Sequence, residues 1–258
     1  VVAITAASQG LPEIALGDAL GSNIVNVTLI LAIPLMMFGV VATRDSVMRD
    51  LPFAVAIFPI LGLAALDGTI DGSEALILYG VFAVWLVSVV LFAIRNRADA
   101  GEGMRDGAGI VAASTVIGLL MLILAGQLIV SGATGLAAAI GLPAFLIGAT
   151  VVALGTSVPE LATVVVSTLR GHQEVGLQTI LGSNIFNCLF IVSTAAILHP
   201  ISVEWNAVTL ALGAGLMVTL LTVPVFSFRL GRWRGFVLVA AYAAFIALSM
   251  STAGLPAH

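Results

Sequence analysis

The chain has 258 residues, of which 60% are hydrophobic and 9% charged, with a mean hydropathy of +1.20 and a formal net charge of −4. A soluble domain carries about 25% charged residues, so this surface cannot be clothed for water, which excludes a soluble enzyme. Nine arginines, no lysine and thirteen acidic residues leave no basic face for a nucleic acid, and the single Cys188 can form neither an intramolecular disulfide nor a zinc cluster.

A helix that crosses a bilayer needs about 20 apolar residues. Eight apolar stretches approach that length, near 12–38, 51–66, 74–94, 108–131, 143–169, 174–198, 204–226 and 236–253. They are apolar all round rather than along one stripe. The sequence therefore predicts an all-α, polytopic integral membrane protein.

The arginines order these spans. Arg44 and Arg49 precede the second span, Arg95, Arg97 and Arg105 separate the third from the fourth, Arg170 follows the fifth, and Arg229, Arg232 and Arg234 lie between the last two. Every arginine falls in an alternate loop, while the other loops hold Asp67, Asp71, Glu74 or Glu204 and no base. Positive charge stays inside, so the arginine loops are expected in the cytoplasm and the C-terminus outside.

The chain also repeats itself. Gly10-Leu-Pro-Glu-Ile-Ala-Leu-Gly-Asp-Ala-Leu-Gly-Ser-Asn-Ile-Val-Asn26 overlays Gly171-His-Gln-Glu-Val-Gly-Leu-Gln-Thr-Ile-Leu-Gly-Ser-Asn-Ile-Phe-Asn187 at a shift of 161 residues, with nine of seventeen positions identical. Shared Gly, Ser, Asn and Glu are not explained by hydrophobicity. The copies open the first and sixth spans, and an odd offset places them in opposite orientations. That is the inverted-repeat pattern of secondary transporters, whose sites lie near the midplane between repeats.

Between Gly107 and Pro159 no residue is charged; Glu160 then stands alone inside the span 143–169. An ionisable group at that depth is costly and usually marks an ion or proton path. Pro159 cannot continue the helix ladder, so Gly155-Thr-Ser-Val-Pro-Glu160 is expected to break the span. The break gathers carbonyls, the hydroxyls of Thr156 and Ser157 and the Glu160 carboxylate, all hard oxygens suited to Ca²⁺. Ser183 and Asn187 share a face of the next span, and the repeat adds Ser22 and Asn26. Asn184, turned about 100° from Ser183, is expected to brace or cap.

These motifs resemble the Ca²⁺/cation antiporter superfamily, in particular the sodium/calcium exchanger branch and its prokaryotic members. The residues that carry the resemblance are Gly148-Ala-Thr, Gly155-Thr-Ser-Val-Pro-Glu160 and Gly182-Ser-Asn-Ile-Phe-Asn187. It implies an inverted-repeat exchanger fold with about eight of ten helices present. Residues 1–94 would complete the first half, 95–107 a short cytoplasmic loop and 108–258 the second half. It implies a metal site of Glu160, Thr156, Ser157, Ser183, Asn187, Ser22 and Asn26, which takes Ca²⁺ and Na⁺ as substrates with no cofactor. Some members carry Asp where Asn26 and Asn187 stand.

The repeat partner of Glu160 would fall just before Val1. The expectation is an N-terminally truncated chain whose Val1–Ala7 is the tail of a second helix, and which alone does not transport. The function expected of the parent is sodium/calcium antiport, exporting Ca²⁺ by alternating access as a monomer among the lipids of the cell membrane, plasma or inner. Ca²⁺/H⁺ exchange is the rival within the class, and a non-transporting structural subunit the rival outside it. An intramembrane hydrolase is excluded, because no His shares a span with a candidate Ser and no His-Glu-x-x-His occurs.

The remaining polar residues are expected to be plain. Asp18 is expected as a solvated helix-end acid in preference to an extracellular vestibule acid, Glu13 and Glu174 as helix-start acids, and His172 and His199 as surface groups.

Overall fold

A computed structural model of the chain describes residues 1–95, 143–224 and 228–252, with scattered positions between 117 and 141. In chain order, α1 (Val2–Ser8) precedes α2 (Pro12–Phe38), β1 (Val40–Val41), α3 (Ser46–Ala64), β2 (Thr69–Ile70) and α4 (Gly72–Arg95). There follow α5 (Ala144–Thr156), α6 (Val158–Leu169), α7 (Glu174–Leu198), β3 (Ile201–Ser202), α8 (Trp205–Leu220), β4 (Arg229–Leu230) and α9 (Trp233–Thr252). By length and composition α2, α3, α4, α7 and α9 can each cross a membrane; α5 and α6 make one further crossing bent by 40°, and α8 is a shorter apolar helix. The span expected at 108–131 falls mostly outside the described residues.

Two boundaries differ from the sequence reading, each for a visible reason. The second span was expected from 51, yet α3 starts at Ser46. Arg49 and Asp50 can enter the helix because they neutralise each other, with Nε and Nη2 donating to the two carboxylate oxygens at 2.8 and 2.9 Å. Trp85 Nε1 adds a third bond to Asp50 at 3.2 Å. The seventh span was expected to reach 226, yet α8 stops at Leu220. Pro224 lies just ahead, and Arg234 Nη1 donates to the carbonyls of Leu221 and Val223, each at 2.7 Å. A cation at the negative end of a helix closes it.

The 161-residue shift recurs throughout the backbone. Gly10 and Gly171 both take positive φ, 76° and 86°. Each sits in the same helix-ending turn: Leu11 N donates to Ala6 O and Gly10 N to Ala7 O, as His172 N donates to Ser167 O and Gly171 N to Thr168 O. This double bond is the Schellman pattern, whose left-handed position favours glycine. Helix α1 is thus the counterpart of the last turns of α6. Widened π turns then interrupt α2 at Asn26–Ile30 and α7 at Asn187–Ile191.

The short strands obey the same symmetry. β1 pairs with β4, and β2 with β3, both antiparallel. β1 and β4 lie in or beside arginine-bearing loops, whereas β2 and β3 lie in arginine-free ones. Since α3 crosses once between β1 and β2, the two loop classes occupy opposite ends of the molecule.

The core is centred on α2. Of its first fourteen residues, Pro12–Val25, all but Glu13 are buried. By contrast α4 buries only Ala75, Leu78 and Phe82. A helix so apolar and so exposed belongs against lipid. The closest approach is between α2 and α5. A Cβ on Gly17 would lie 2.1 Å from Phe145 O, and one on Gly21 2.3 Å from Ala149 O. Gly148 answers from the other side, its Cβ 2.5 Å from Ile14 O. Gly17-x-x-x-Gly21 is a small-residue stripe of the kind that lets membrane helices touch along their backbones. Gly182, the repeat counterpart of Gly21, is open, its nearest neighbour Trp85 Cζ2 at 3.9 Å.

That difference is measurable. Gly21→Ala must push two backbones apart and is expected to lower stability by about 1–3 kcal/mol or more, while Gly182→Ala should stay close to neutral. Thermal unfolding of the two variants in detergent checks the contrast; equal losses would refute it.

Candidate cation site

The break between α5 and α6 falls at Ser157, whose φ of −86° and ψ of 2° end one helix and cap the next. The sequence placed the break around Pro159. The proline instead occupies the first turn of α6, where its missing N–H is harmless. Glu160 stands in that same first turn, at the positive end of the helix dipole. Its Oε1 accepts a hydrogen bond from Ser183 Oγ at 2.7 Å. Its Oε2 is buried and has no partner among the described residues.

The tight α2–α5 contact delivers the next group. Thr156 Oγ1 donates to Asp18 Oδ1 at 2.6 Å. Ser22 Oγ lies 3.2 Å from the same carboxylate oxygen and 3.1 Å from Thr156 Oγ1. Asp18 is 5% exposed. The expectation of a solvated helix-end acid is therefore corrected: the glycine stripe draws α2 so close to α5 that Asp18 is sealed between them. A usable signal was present, because Asp18 and Ser22 are four residues apart and share a helix face.

A third group joins α2 to α7 around the pseudo-two-fold. Asn23 Nδ2 donates to Asn184 O at 3.1 Å, and Asn184 Nδ2 donates to Asn23 O at 3.2 Å. Outside this exchange, Asn26 Nδ2 donates to Asn184 Oδ1 at 3.0 Å and Asn187 Nδ2 to Asn23 Oδ1 at 3.1 Å. Each asparagine amide thus reaches the opposite helix. Asn184 braces, as its place on the helix indicated. Asn26 and Asn187 spend their donors on the brace, so their carbonyl ends turn away from it. Asn26 Oδ1 is left buried without a partner.

Six of the seven residues expected at the site therefore fall into three hydrogen-bonded groups: Ser22 with Thr156, Glu160 with Ser183, and Asn26 with Asn187 through the central asparagines. Ser157 is 2% exposed at the break, and its Oγ also lacks a partner. Among the described residues six buried side-chain polar atoms are unpartnered, and three of them are Asn26 Oδ1, Ser157 Oγ and Glu160 Oε2. An unsatisfied buried polar atom is expensive, so these three oxygens are candidates to receive a bound group. All three are hard oxygen acceptors, which suits a desolvated alkali or alkaline-earth cation. Among the described residues no cluster of three or more His, Cys, Asp or Glu exists, and the three unpartnered acceptors are one carboxylate oxygen and two neutral oxygens.

The model of the family described as "Sodium/calcium exchanger protein" matches residues 1–91 and 110–251. The chain belongs to the sodium/calcium exchanger family. CaxA of Alkalimonas amylolytica is 30% identical over 247 residues, covering 91% of this chain and 76% of CaxA. Inner membrane protein YrbG of Escherichia coli is 29% identical over 211 residues, 78% of this chain and 65% of YrbG. Among solved structures, the sodium-calcium exchanger NCX_Mj soaked with Na⁺ and Sr²⁺ superposes with a TM-score of 0.70 at 22% identity, over 95% of this chain and 80% of that one. The fold is therefore that of a helical exchanger, and the protein is a multi-pass integral membrane protein of the prokaryotic-type branch.

The asparagine brace yields a test. Removing the Asn184 side chain with Ala strands the amide hydrogens of Asn26 in the interior and takes a donor from the main-chain carbonyl of Asn23, at about 1–3 kcal/mol for a buried unsatisfied group. Asn23→Ala should have a similar effect by symmetry. Chemical unfolding in detergent measures both; a brace of no energetic consequence would leave the two midpoints at the wild-type value.

Proposed function

We propose that this chain forms the ion-translocating part of a sodium/calcium antiporter that exports Ca²⁺ in exchange for Na⁺. The observation that carries the reading is the set of unpartnered interior oxygens, Glu160 Oε2, Asn26 Oδ1 and Ser157 Oγ, at the meeting of α2, the α5–α6 break and α7. Family membership supports it.

The chemistry follows from the donor set. Glu160 supplies the charge, held in place by Ser183. Asn26 and Asn187 supply amide carbonyls, while Thr156, Ser157 and Ser22 supply hydroxyl oxygens. Ca²⁺ and Na⁺ both prefer such oxygens and would compete for them, so that one ion must leave before the other is held. Competition at one chamber, exposed to alternate sides by rocking or sliding of one helix group against the other, is the basis of antiport. With the arginine loops in the cytoplasm, inward Na⁺ movement drives Ca²⁺ outward across the cell membrane. Two halves, 1–94 and 108–258, would face each other across the chamber in a protein that works as a monomer.

Two measurements test the reading in proteoliposomes containing the full-length protein. Ca²⁺ uptake should follow an imposed Na⁺ gradient at fixed pH; uptake that ignores Na⁺ and follows a proton gradient instead would replace Na⁺ coupling by H⁺ coupling. Glu160→Gln should reduce Ca²⁺ transport by about 100-fold, in keeping with the loss of a charge-assisted contact. Unchanged transport by that variant would remove Glu160 from the site and leave the structural-subunit reading.

A further inference from the structure

We propose that Asp18 is a positioning residue of the cation site. Its carboxylate draws the hydroxyl hydrogens of Thr156 and Ser22 to itself, so that both oxygens turn lone pairs towards a bound cation. The inference rests on the proposed role of those two hydroxyls as ligands.

A hydroxyl has one hydrogen and two lone pairs, and it is a useful cation ligand only when the hydrogen points elsewhere. Thr156 has four acceptors in reach: Asp18 Oδ1 at 2.6 Å, Val152 O and Ser22 Oγ each at 3.1 Å, and Ala153 O at 3.3 Å. The carboxylate is nearest, and an ionised acceptor makes the shorter and stronger bond. Ser22 has Thr156 Oγ1 at 3.1 Å, Asp18 Oδ1 at 3.2 Å and Ala153 O at 3.5 Å, and of the three only the carboxylate is an ionised acceptor. Both hydroxyls therefore converge on one carboxylate oxygen. Donation to an anion also raises the electron density on the donor oxygen, much as outer partners tune the ligands of a metal.

The two repeats supply this partner differently. Ser183, the counterpart of Ser22, donates to Glu160 itself. The shift of 161 residues places Thr179 where the first repeat has Asp18. Each repeat serine thus has a carboxylate to take its hydrogen, but only the first repeat draws it from its own helix. Asp18 can serve because the α2–α5 contact leaves it buried, with water displaced by the backbones around Gly17 and Gly148.

Calorimetric titration of the purified full-length protein with Ca²⁺ tests the inference. Asp18→Asn keeps size but loses the charge, and Asp18→Thr adopts the residue of the other repeat should the amide variant fold poorly. Either variant is expected to weaken Ca²⁺ binding about tenfold, the scale seen for outer partners of metal ligands, with the ion-free melting temperature little changed. On a Thr156→Val background the same change at Asp18 should weaken binding only a few-fold more, because its main client is already gone. Wild-type affinity in both Asp18 variants overturns the proposal, as does an undiminished tenfold loss on the Thr156→Val background. A wild-type protein that binds no Ca²⁺ is a different outcome, which overturns the cation-site reading and this inference with it.

Discussion

Inside a bilayer a polar group must find its partner within the protein, and here the partner is the other repeat. Asn23 and Asn184 exchange side-chain donors for main-chain carbonyls across the pseudo-two-fold. Asn26 and Asn187 then bond the carbonyl ends of those same side chains. Neither α2 nor α7 satisfies these amides alone. The register of one helix against the other is therefore specified by four side chains, and everything that approaches the centre is placed relative to that pair. The π turns begin at Asn26 and Asn187 themselves. Widened turns of this kind often accompany functional sites, and here they coincide with the residues whose carbonyl ends face away from the brace.

A second constraint is steric. α2 touches α5 through glycines with no room for a methyl group, which brings Asp18 and Ser22 within hydrogen-bond reach of Thr156. The bend at Ser157 then redirects the chain so that Glu160 meets Ser183 on α7. The site is thus assembled by one close contact, one break and one brace. Each uses a residue type that hydrophobicity alone would not have placed in a membrane span.

Much of this was legible beforehand. The described spans follow from apolar length, the alternation of the described loops from their arginines, and the inverted repeat from shared polar residues; Pro159 points to a break near Glu160, which falls two residues earlier, at Ser157. What the sequence concealed depends on distances between segments far apart in the chain. Asp18 reads as an end residue because its burial is caused by α5, whose Thr156 is 138 residues away. The strand pairs are only two residues each, too short for any alternating pattern to register. The early start of α3 needed the Arg49–Asp50 pairing, and the early stop of α8 needed Arg234, neither of which hydropathy can see.

The orientation of the amides has a further consequence. An amide has donors at one end and an acceptor at the other, whereas a carboxylate has acceptors at both. At Asn187 the donor end is committed to Asn23 Oδ1, and at Asn26 to Asn184 Oδ1. An aspartate at either place would set oxygen against oxygen on the two-fold. Extra negative charge at these two positions therefore cannot be introduced without loosening the helix pair that frames the chamber, unless the facing asparagine turns its own amide round. Ion preference and scaffold cohesion are written in the same two side chains, and evolution must adjust them together.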